Sequence, residues 1–229
     1  MKNLILLFTK YPEPGKVKTR LAVDIGDVAA CQVYEKLLLN SWQSVLQSSY
    51  PYVVCLSPTH KIKEFKQRYK AKVVPQIGDD IGQRMAYNFQ QFFAQGYEKI
   101  ILCGADILDL NSAIFQEGFS ALNSHDCVIG PSHDGGYYAI GFSKSAFQQK
   151  IFTGFPWSNP EVYSNTLKII SKSNLSLYTL PNRMDLDTFD DIKEYLKSNE
   201  NGDNFSRFLE MVVYTNSNIN AKSNLEVSM

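Results

Sequence analysis

Apolar positions along the chain fall into two rhythms. Short, largely apolar runs occur at residues 4–9, 52–56, 72–76, 99–104, 126–130, 136–142 and 175–180. Each is bounded by Gly, Pro, Asn, Asp, Ser or charged residues, the pattern of buried strands. Between them, apolar residues recur every three or four positions. Ala30, Val33, Tyr34, Leu37, Leu38 and Val45 form one such set; Ile81, Met85, Phe89, Phe92 and Phe93 form another; Val162, Thr166, Ile169 and Ile170 form a third. These are helical faces. Further helices are expected at 61–69, at 111–123 and from about Thr188 onward.

Strands that alternate with helices indicate βαβ units and a mixed, mostly parallel sheet flanked by helices. The expectation is one α/β domain over residues 1–198. After it, the composition shifts to Asn, Ser and Gly. Residues 199–229 read as a polar extension, with one amphipathic helix over 205–214 and disorder beyond. Ligands of such sheets lie at the carboxyl ends of the strands, so the loops after the first, fourth and fifth strands carry the interest.

Charge narrows the function classes. Lys plus Arg and Asp plus Glu are 23 each in 229 residues, so the net charge is zero. A general nucleic-acid or membrane-surface binder needs a basic excess. Cys31, Cys55, Cys103 and Cys127 lack metal-ligand spacing, and three fall in predicted strands. They read as buried thiols in a reducing compartment. The apolar run near the N-terminus is too short for a signal-peptide core, and the expected location is the cytoplasm. The long amphipathic helix is compatible with a homodimer. The chain lacks Gly-x-Gly-x-x-Gly, the Gly-x-Ser-x-Gly elbow and a paired His-Glu metal motif.

Five segments carry candidate chemistry. Residues 10–20 place Lys10, Lys16, Lys18 and Arg20 around Gly15 and Thr19, directly after a buried strand. Such a loop can wrap a di- or triphosphate, or be a solvated basic loop. Asp106 ends the fourth strand in Gly-Ala-Asp, where a carboxylate holds Mg²⁺ or Mn²⁺ against phosphate, or caps a turn. His133, Asp134, Gly135, Gly136 and Tyr137 form a tight connection that presents groups to a small substrate or is simply a hairpin turn. Asp185 and Asp187, two residues apart, can complete a metal site or begin a helix. Arg84, after Gly82, can reach a nucleotide or pair with Asp80. Trp157 lines an acceptor pocket or anchors the core.

Taken in order, these segments resemble a family. It is the bacterial GT-A-like glycosyltransferase family associated with radical-SAM and arsenosugar gene clusters. The chain is also similar, more distantly, to 2-phospho-L-lactate guanylyltransferase and molybdenum-cofactor guanylyltransferase. The resemblance rests on Pro-Gly-Lys-Val-Lys-Thr-Arg-Leu at 14–21, Ile-Gly-Gln-Arg-Met at 81–85 and Gly-Ala-Asp at 104–106. It continues with Gly-Pro at 130–131 through Asp-Gly-Gly-Tyr-Tyr at 134–138, Trp-Ser at 157–158 and Asp-Leu-Asp-Thr at 185–188. It covers roughly residues 2 to 197.

The resemblance implies a nucleotide-diphospho-sugar transferase fold. It implies that Lys10, Gly15, Lys16, Lys18, Thr19 and Arg20, with Gly82 and Arg84, hold a nucleotide. It implies Mg²⁺ or Mn²⁺ on Asp106, with Asp187 and its neighbour Asp185 completing the site. Gly135, Gly136, Tyr137 and Trp157 would border the sugar or acceptor, and Asp134, Lys18 and Arg20 would serve catalysis. Leu108 and Phe189 stand where the family carries Pro, which relaxes a turn without removing a ligand. The expected partners are a nucleotide or nucleotide-sugar and a small acceptor, with no nucleic acid and no membrane. The expected reaction is glycosyl transfer. Its rivals are nucleotidyl transfer with release of pyrophosphate and a non-catalytic nucleotide-binding module.

Overall fold

The computed structural model describes residues 2–157, 159–199 and 203–214. Seven strands form one sheet: β1 (Asn3–Lys10), β2 (Tyr52–Ser57), β3 (Val73–Pro75), β4 (Lys99–Gly104), β5 (Cys127–Pro131), β6 (Tyr137–Ser143) and β7 (Leu177–Thr179). Seven α-helices accompany them: α1 (Thr19–Ile25), α2 (Asp27–Gln47), α3 (Ile62–Tyr69), α4 (Ile81–Ala94), α5 (Ser112–Ala121), α6 (Val162–Lys172) and α7 (Phe189–Ser198). Residues 204–214 are also helical. The tail expected to be disordered, 215–229, lies outside the described residues, as does Ser158.

The strand order is β3-β2-β1-β4-β6-β5-β7. Every pairing is parallel except the two made by β6, which runs antiparallel to β4 and β5. The carboxyl ends of the other six strands therefore share one edge with the start of β6. The chain leaves β1 for β2 on one side and returns to β4 on the other. That makes the β1/β4 carboxyl end the topological switch point, where open α/β sheets bind ligands.

The chain separates into two compact units, one of Met1–Tyr11 with Leu37–Asp185 and one of Pro12–Lys36 with Leu186–Met229. The first holds the whole sheet. On one face, Ile5, Leu7, Ile101 and Cys103 pack with Trp42 of α2, Phe65 of α3 and Phe115 of α5. On the other, Leu4, Leu6, Ile100 and Leu102 pack with Met85, Phe89 and Phe93 of α4. Burial on both faces explains why β1 and β4 read as continuous apolar runs instead of alternating ones. Cys55, Cys103 and Cys127 lie wholly inside, and burial raises each thiol pKa, that of Cys127 to about 12.

The second unit holds α1, the start of α2, α7 and the helix at 204–214. Val17 packs with Cys31 and Tyr34, and Tyr195 of α7 meets the ring of Phe205 and donates to Asp203. Thr188 caps α7 through the Asp191 amide, and the Asp191 carboxylate accepts from the Thr188 amide in return. The helix expected from Thr188 therefore starts there for the reason a capping box provides. Helix α1 was not expected: it begins inside the basic segment, so Thr19 and Arg20 sit on a helix and not in a loop.

Candidate functional site

In the first unit, the switch point is built from the ends of β1 and β4. Phe8 is in register with Gly104, and two residues further each strand reaches its polar end, Lys10 on β1 and Asp106 beyond β4. Gly104 gives Asp106 its room: a Cβ there would stand 3.2 Å from Asp106 Oδ1. The segment carrying Asp185 runs beside it. Ile107 bridges Asp185 in antiparallel fashion, and the Leu108 amide donates to Met184 O at 3.3 Å. The tertiary fold thus brings the backbones of two acidic segments, almost eighty residues apart in sequence, side by side. Both carboxylates are half-buried.

Arg84 lies on the first turns of α4. Its Nε donates to Gly78 O at 2.9 Å and its Nη1 to Ser57 Oγ at 3.4 Å, while Asp80 caps the helix through the Gln83 amide. The expected choice between Arg84 on Asp80 and Arg84 on a ligand is therefore recast, because Asp80 holds the helix and Arg84 ties the Gly78 loop to the end of β2. Gly82 is pressed beneath Trp157. A Cβ at Gly82 would come within 2.2 Å of Trp157 Nε1 and 2.5 Å of Phe152 O. Trp157 in turn meets Tyr137 edge-on at 6.3 Å between ring centroids. The structure brings together Gly82, Trp157 and Tyr137, residues expected at the nucleotide and at the acceptor.

The β5–β6 connection is a hairpin turn built on Asp134. Its Oδ1 accepts from Ser132 Oγ at 2.6 Å and from the Gly136 amide at 2.9 Å, and the carboxylate is exposed. Gly135 turns at φ 87° and its carbonyl accepts from the Tyr163 amide of α6. His133 is exposed, and its amide donates to Arg183 O. Tyr137 points its hydroxyl inward: burial raises its pKa, and the neighbouring Thr166 hydroxyl opposes that rise.

Several residues at this edge carried no sequence signal. Buried Gln76 donates through Nε2 to Thr9 O at 3.0 Å and Cys55 O at 2.7 Å, tying the ends of β1 and β2 together. Buried Asn88 donates to Arg84 O at 3.0 Å. Arg183 pairs its backbone with Pro131 and His133, and its Nε is buried without a hydrogen-bond partner among the described residues. Burial raises the Tyr138 hydroxyl pKa to about 12, and the Arg183 guanidinium pulls against that rise. Single polar residues at strand ends are too common for sequence to separate these from ordinary loop residues.

In the second unit, Lys18 was expected to face phosphate. Its side chain is 2% exposed, and Nζ sits 2.5 Å from Asp187 Oδ1. Lys18 adopts the left-handed backbone conformation, φ 46°, ahead of α1, a strained choice for a side-chain-bearing residue. Lys16, Thr19 and Arg20 are exposed, and the Lys16 amide donates to Glu13 O across the turn at Gly15. Lys18 and Asp187, expected on phosphate and on metal, are thus paired with each other.

A family model described as an uncharacterized protein conserved in bacteria, DUF2064, matches residues 43–159. The chain belongs to the DUF2064 family. A protein of Desulfovibrio desulfuricans G20, provisionally described as a nucleotide-diphospho-sugar transferase, is 31% identical; the alignment covers 94% of this chain and 99% of that one, with a TM-score of 0.87. The DUF2064 chain also shares its fold with a 4-diphosphocytidyl-2C-methyl-D-erythritol synthase of Anaerococcus prevotii, at 11% identity, 86% and 96% coverage and a TM-score of 0.55. A nucleotidyl transferase of Methanothermobacter, 13% identical with 92% and 99% coverage, has a TM-score of 0.58. No curated protein matches it. The fold is therefore that of the nucleotide-diphospho-sugar and nucleotidyl transferases. Among the described residues, no helix is long and apolar enough to cross a membrane.

Proposed function

We propose that this DUF2064 protein is a metal-dependent transferase that uses a nucleotide-sugar to glycosylate a small acceptor. The observation that carries the reading is Asp106 at the β1/β4 switch point, seated over Gly104 and beside the Asp185 segment.

The donor set suits a hard divalent cation. Asp106 and Asp185 offer carboxylate oxygens, the ligands that Mg²⁺ and Mn²⁺ take. Among the described residues no three His, Cys, Asp or Glu side chains gather at one point. Mg²⁺ is commonly held by one or two carboxylates and completed by water and phosphate. Asp106 would be the main ligand, with Asp185 beside it and Asp187, now 2.5 Å from Lys18 Nζ, as the further carboxylate. Bound there, Mg²⁺ or Mn²⁺ would offset charge on the departing nucleoside diphosphate.

The chain's own residues would do the rest. Lys10, Arg84 and Arg183 would place cationic groups at the same edge for the phosphates. Trp157 and Tyr137, braced against Gly82, would form the apolar wall beside the sugar. In the transfer, the acceptor oxygen would form a bond to the sugar's anomeric carbon while the bond to the diphosphate oxygen breaks and its electron pair leaves with the diphosphate. The acceptor hydroxyl proton would pass to Asp134, whose Oδ1 is fixed by Ser132 and Gly136 and whose carboxylate faces solvent. In the second unit, Lys16 and Arg20 would provide exposed cations suited to phosphate.

Nucleotidyl transfer is the second reading, because the nucleotidyl transferase of Methanothermobacter shares this fold. Incubating the purified protein and Mn²⁺ with nucleotide-sugars, or with nucleoside triphosphates and phosphorylated small molecules, separates the two. Release of nucleoside diphosphate supports glycosyl transfer, and release of pyrophosphate supports the second reading. Binding with no turnover would leave a non-catalytic nucleotide module. Asp106→Asn is expected to lower turnover by about a hundredfold or more. Unchanged turnover in that variant would remove Asp106 from the mechanism.

A further inference from the structure

In the second unit, the basic segment divides into an inner and an outer set. Lys16, Thr19 and Arg20 are exposed, while Val17 and Lys18 between them are buried. Val17 packs with Cys31 and Tyr34. Lys18 takes the left-handed backbone conformation, φ 46° and ψ 44°, at the position before α1. Side-chain-bearing residues keep that conformation only where their surroundings fix it. An ammonium whose side chain is 2% exposed is closed to a phosphate arriving from solvent, whereas the exposed cations beside it are open to one.

Lys18 reaches Asp187 instead, with Nζ 2.5 Å from Oδ1. The backbone of Asp187 is held by another residue. Its amide and the Thr188 amide both donate to Asp191 Oδ2, at 2.8 Å and 2.6 Å, as part of the capping box of α7. Main chain and side chain of Asp187 are therefore fixed independently, and the side chain stays 36% exposed. A carboxylate offers two oxygens and about four lone-pair sites, so a bond from an ammonium leaves capacity for a cation. Metal-binding side chains are commonly oriented by hydrogen-bond partners behind them. An ammonium also repels a nearby metal ion, so orientation and plain repulsion predict opposite effects when Lys18 loses its charge.

We propose that Lys18 is a positioning residue for Asp187: its buried ammonium fixes the carboxylate through Oδ1 and holds it ready for Mg²⁺ or Mn²⁺, and Lys18 itself does not touch the nucleotide phosphates. The inference rests on the metal-dependent reading above, and it leaves the phosphate-facing charge of this segment to Lys16 and Arg20.

The test titrates Mn²⁺ alone into the full chain, with free Mn²⁺ read by electron paramagnetic resonance. Lys18→Met is expected to weaken Mn²⁺ binding by about tenfold or more, and Lys18→Arg, which restores a cationic donor, to recover most of that loss. Unchanged or tighter Mn²⁺ binding in Lys18→Met would overturn the proposal, because the ammonium would then only repel the ion or compete with it for Asp187. A Lys18→Arg variant no better than Lys18→Met would overturn it too. Asp106→Asn tests the underlying reading separately. It should also weaken Mn²⁺ binding, and an unchanged affinity in that variant would sink the metal reading itself. A second measurement needs no substitution: Mg²⁺ is titrated into the parent chain labelled with carbon-13 and nitrogen-15. The Asp187 carboxyl carbon should shift, while the Lys18 ammonium stays protected from exchange at saturation. Loss of that protection, or an Asp187 carbon that does not respond, would overturn the proposal.

Discussion

Gly82→Ala probes how tightly Trp157 packs on α4. Gly82 is the second residue of α4, so alanine alone would favour the helix by at most about 1 kcal/mol. Its Cβ, however, would stand 2.2 Å from Trp157 Nε1, 2.4 Å from Trp157 Cε2 and 2.5 Å from Phe152 O. Ordinary contact between heavy atoms begins near about 3.5 Å, so the shortfall is about 1 Å or more. The indole can tilt, but Phe152 O is backbone and follows a short 3₁₀ turn, Gln149–Phe152. Overpacking of this kind costs about 1–3 kcal/mol, and a fixed backbone neighbour argues for the upper end. The net effect is a loss of about 2 kcal/mol, or a fall in Tm of roughly 4–8 °C for a chain of this size. Thermal and urea unfolding measure it. In the double variant Gly82→Ala/Trp157→Ala, the loss should be smaller than the sum of the two single losses, since the indole is the main obstacle. A single Gly82→Ala variant as stable as the parent, or more stable, would refute the packing argument. So would strict additivity.

Three further outcomes follow from named contacts. Asp187→Ala removes a carboxylate 2.5 Å from an ammonium that is 2% exposed, and is expected to cost about 1–3 kcal/mol. Lys18→Met leaves a carboxylate that is 36% exposed and hydrated, and should cost distinctly less in urea unfolding; the opposite ranking would refute the asymmetry. Gly104→Ala should leave the unfolding midpoint nearly unchanged, since among the described residues the new Cβ meets Asp106 Oδ1 at 3.2 Å and Tyr138 O at an ordinary 3.9 Å. It should weaken Mn²⁺-dependent nucleotide binding, measured by thermal shift with and without the metal, and unaltered dependence would mean that Asp106 needs no such clearance. The Asp126 carboxylate accepts from Ser176 Oγ at 2.6 Å and its amide at 2.8 Å, and these bonds hold its pKa below the ordinary 3.8. A depressed folded pKa stabilises above the unfolded value, and that stabilisation is lost as pH falls through the folded one. Protection of the Ser176 amide against hydrogen exchange should therefore drop between about pH 5 and about pH 2, and constant protection would remove this linkage.

Much of the fold was legible in the sequence because its cause is local. The all-apolar runs at 4–9 and 99–104 announce strands buried on both faces, and the structure places helices over both. Helix α4 shows its face through Met85, Phe89 and Phe93, and its start through Asp80, whose side chain caps it. The Asp-Gly signal at 134–135 announced a hairpin turn, and β5 and β6 form that hairpin. Helix α1 was hidden because its seven residues mix one basic, one acidic and several apolar side chains without a long periodic face.

The sequence by itself determined which residues are chemically equipped: Lys16, Lys18 and Arg20 around Gly15, Asp106 at a strand end, Asp134 between glycines, Asp185 and Asp187 ahead of a helix. Only the tertiary structure decided their company. It laid the Asp185 segment beside Asp106, gave Lys18 to Asp187, pressed Trp157 onto Gly82, and turned the Tyr137 hydroxyl inward. It also set Asn3 beside Lys99 at the far edge of the sheet, a pairing ninety-six residues apart that no motif records. The reason is physical. Strand and helix formation follow from the periodicity of neighbouring side chains. Ion pairs, orphaned polar atoms and clearances of a few tenths of an ångström depend instead on how strands are ordered in the sheet, and that order is settled by burial of both faces at once.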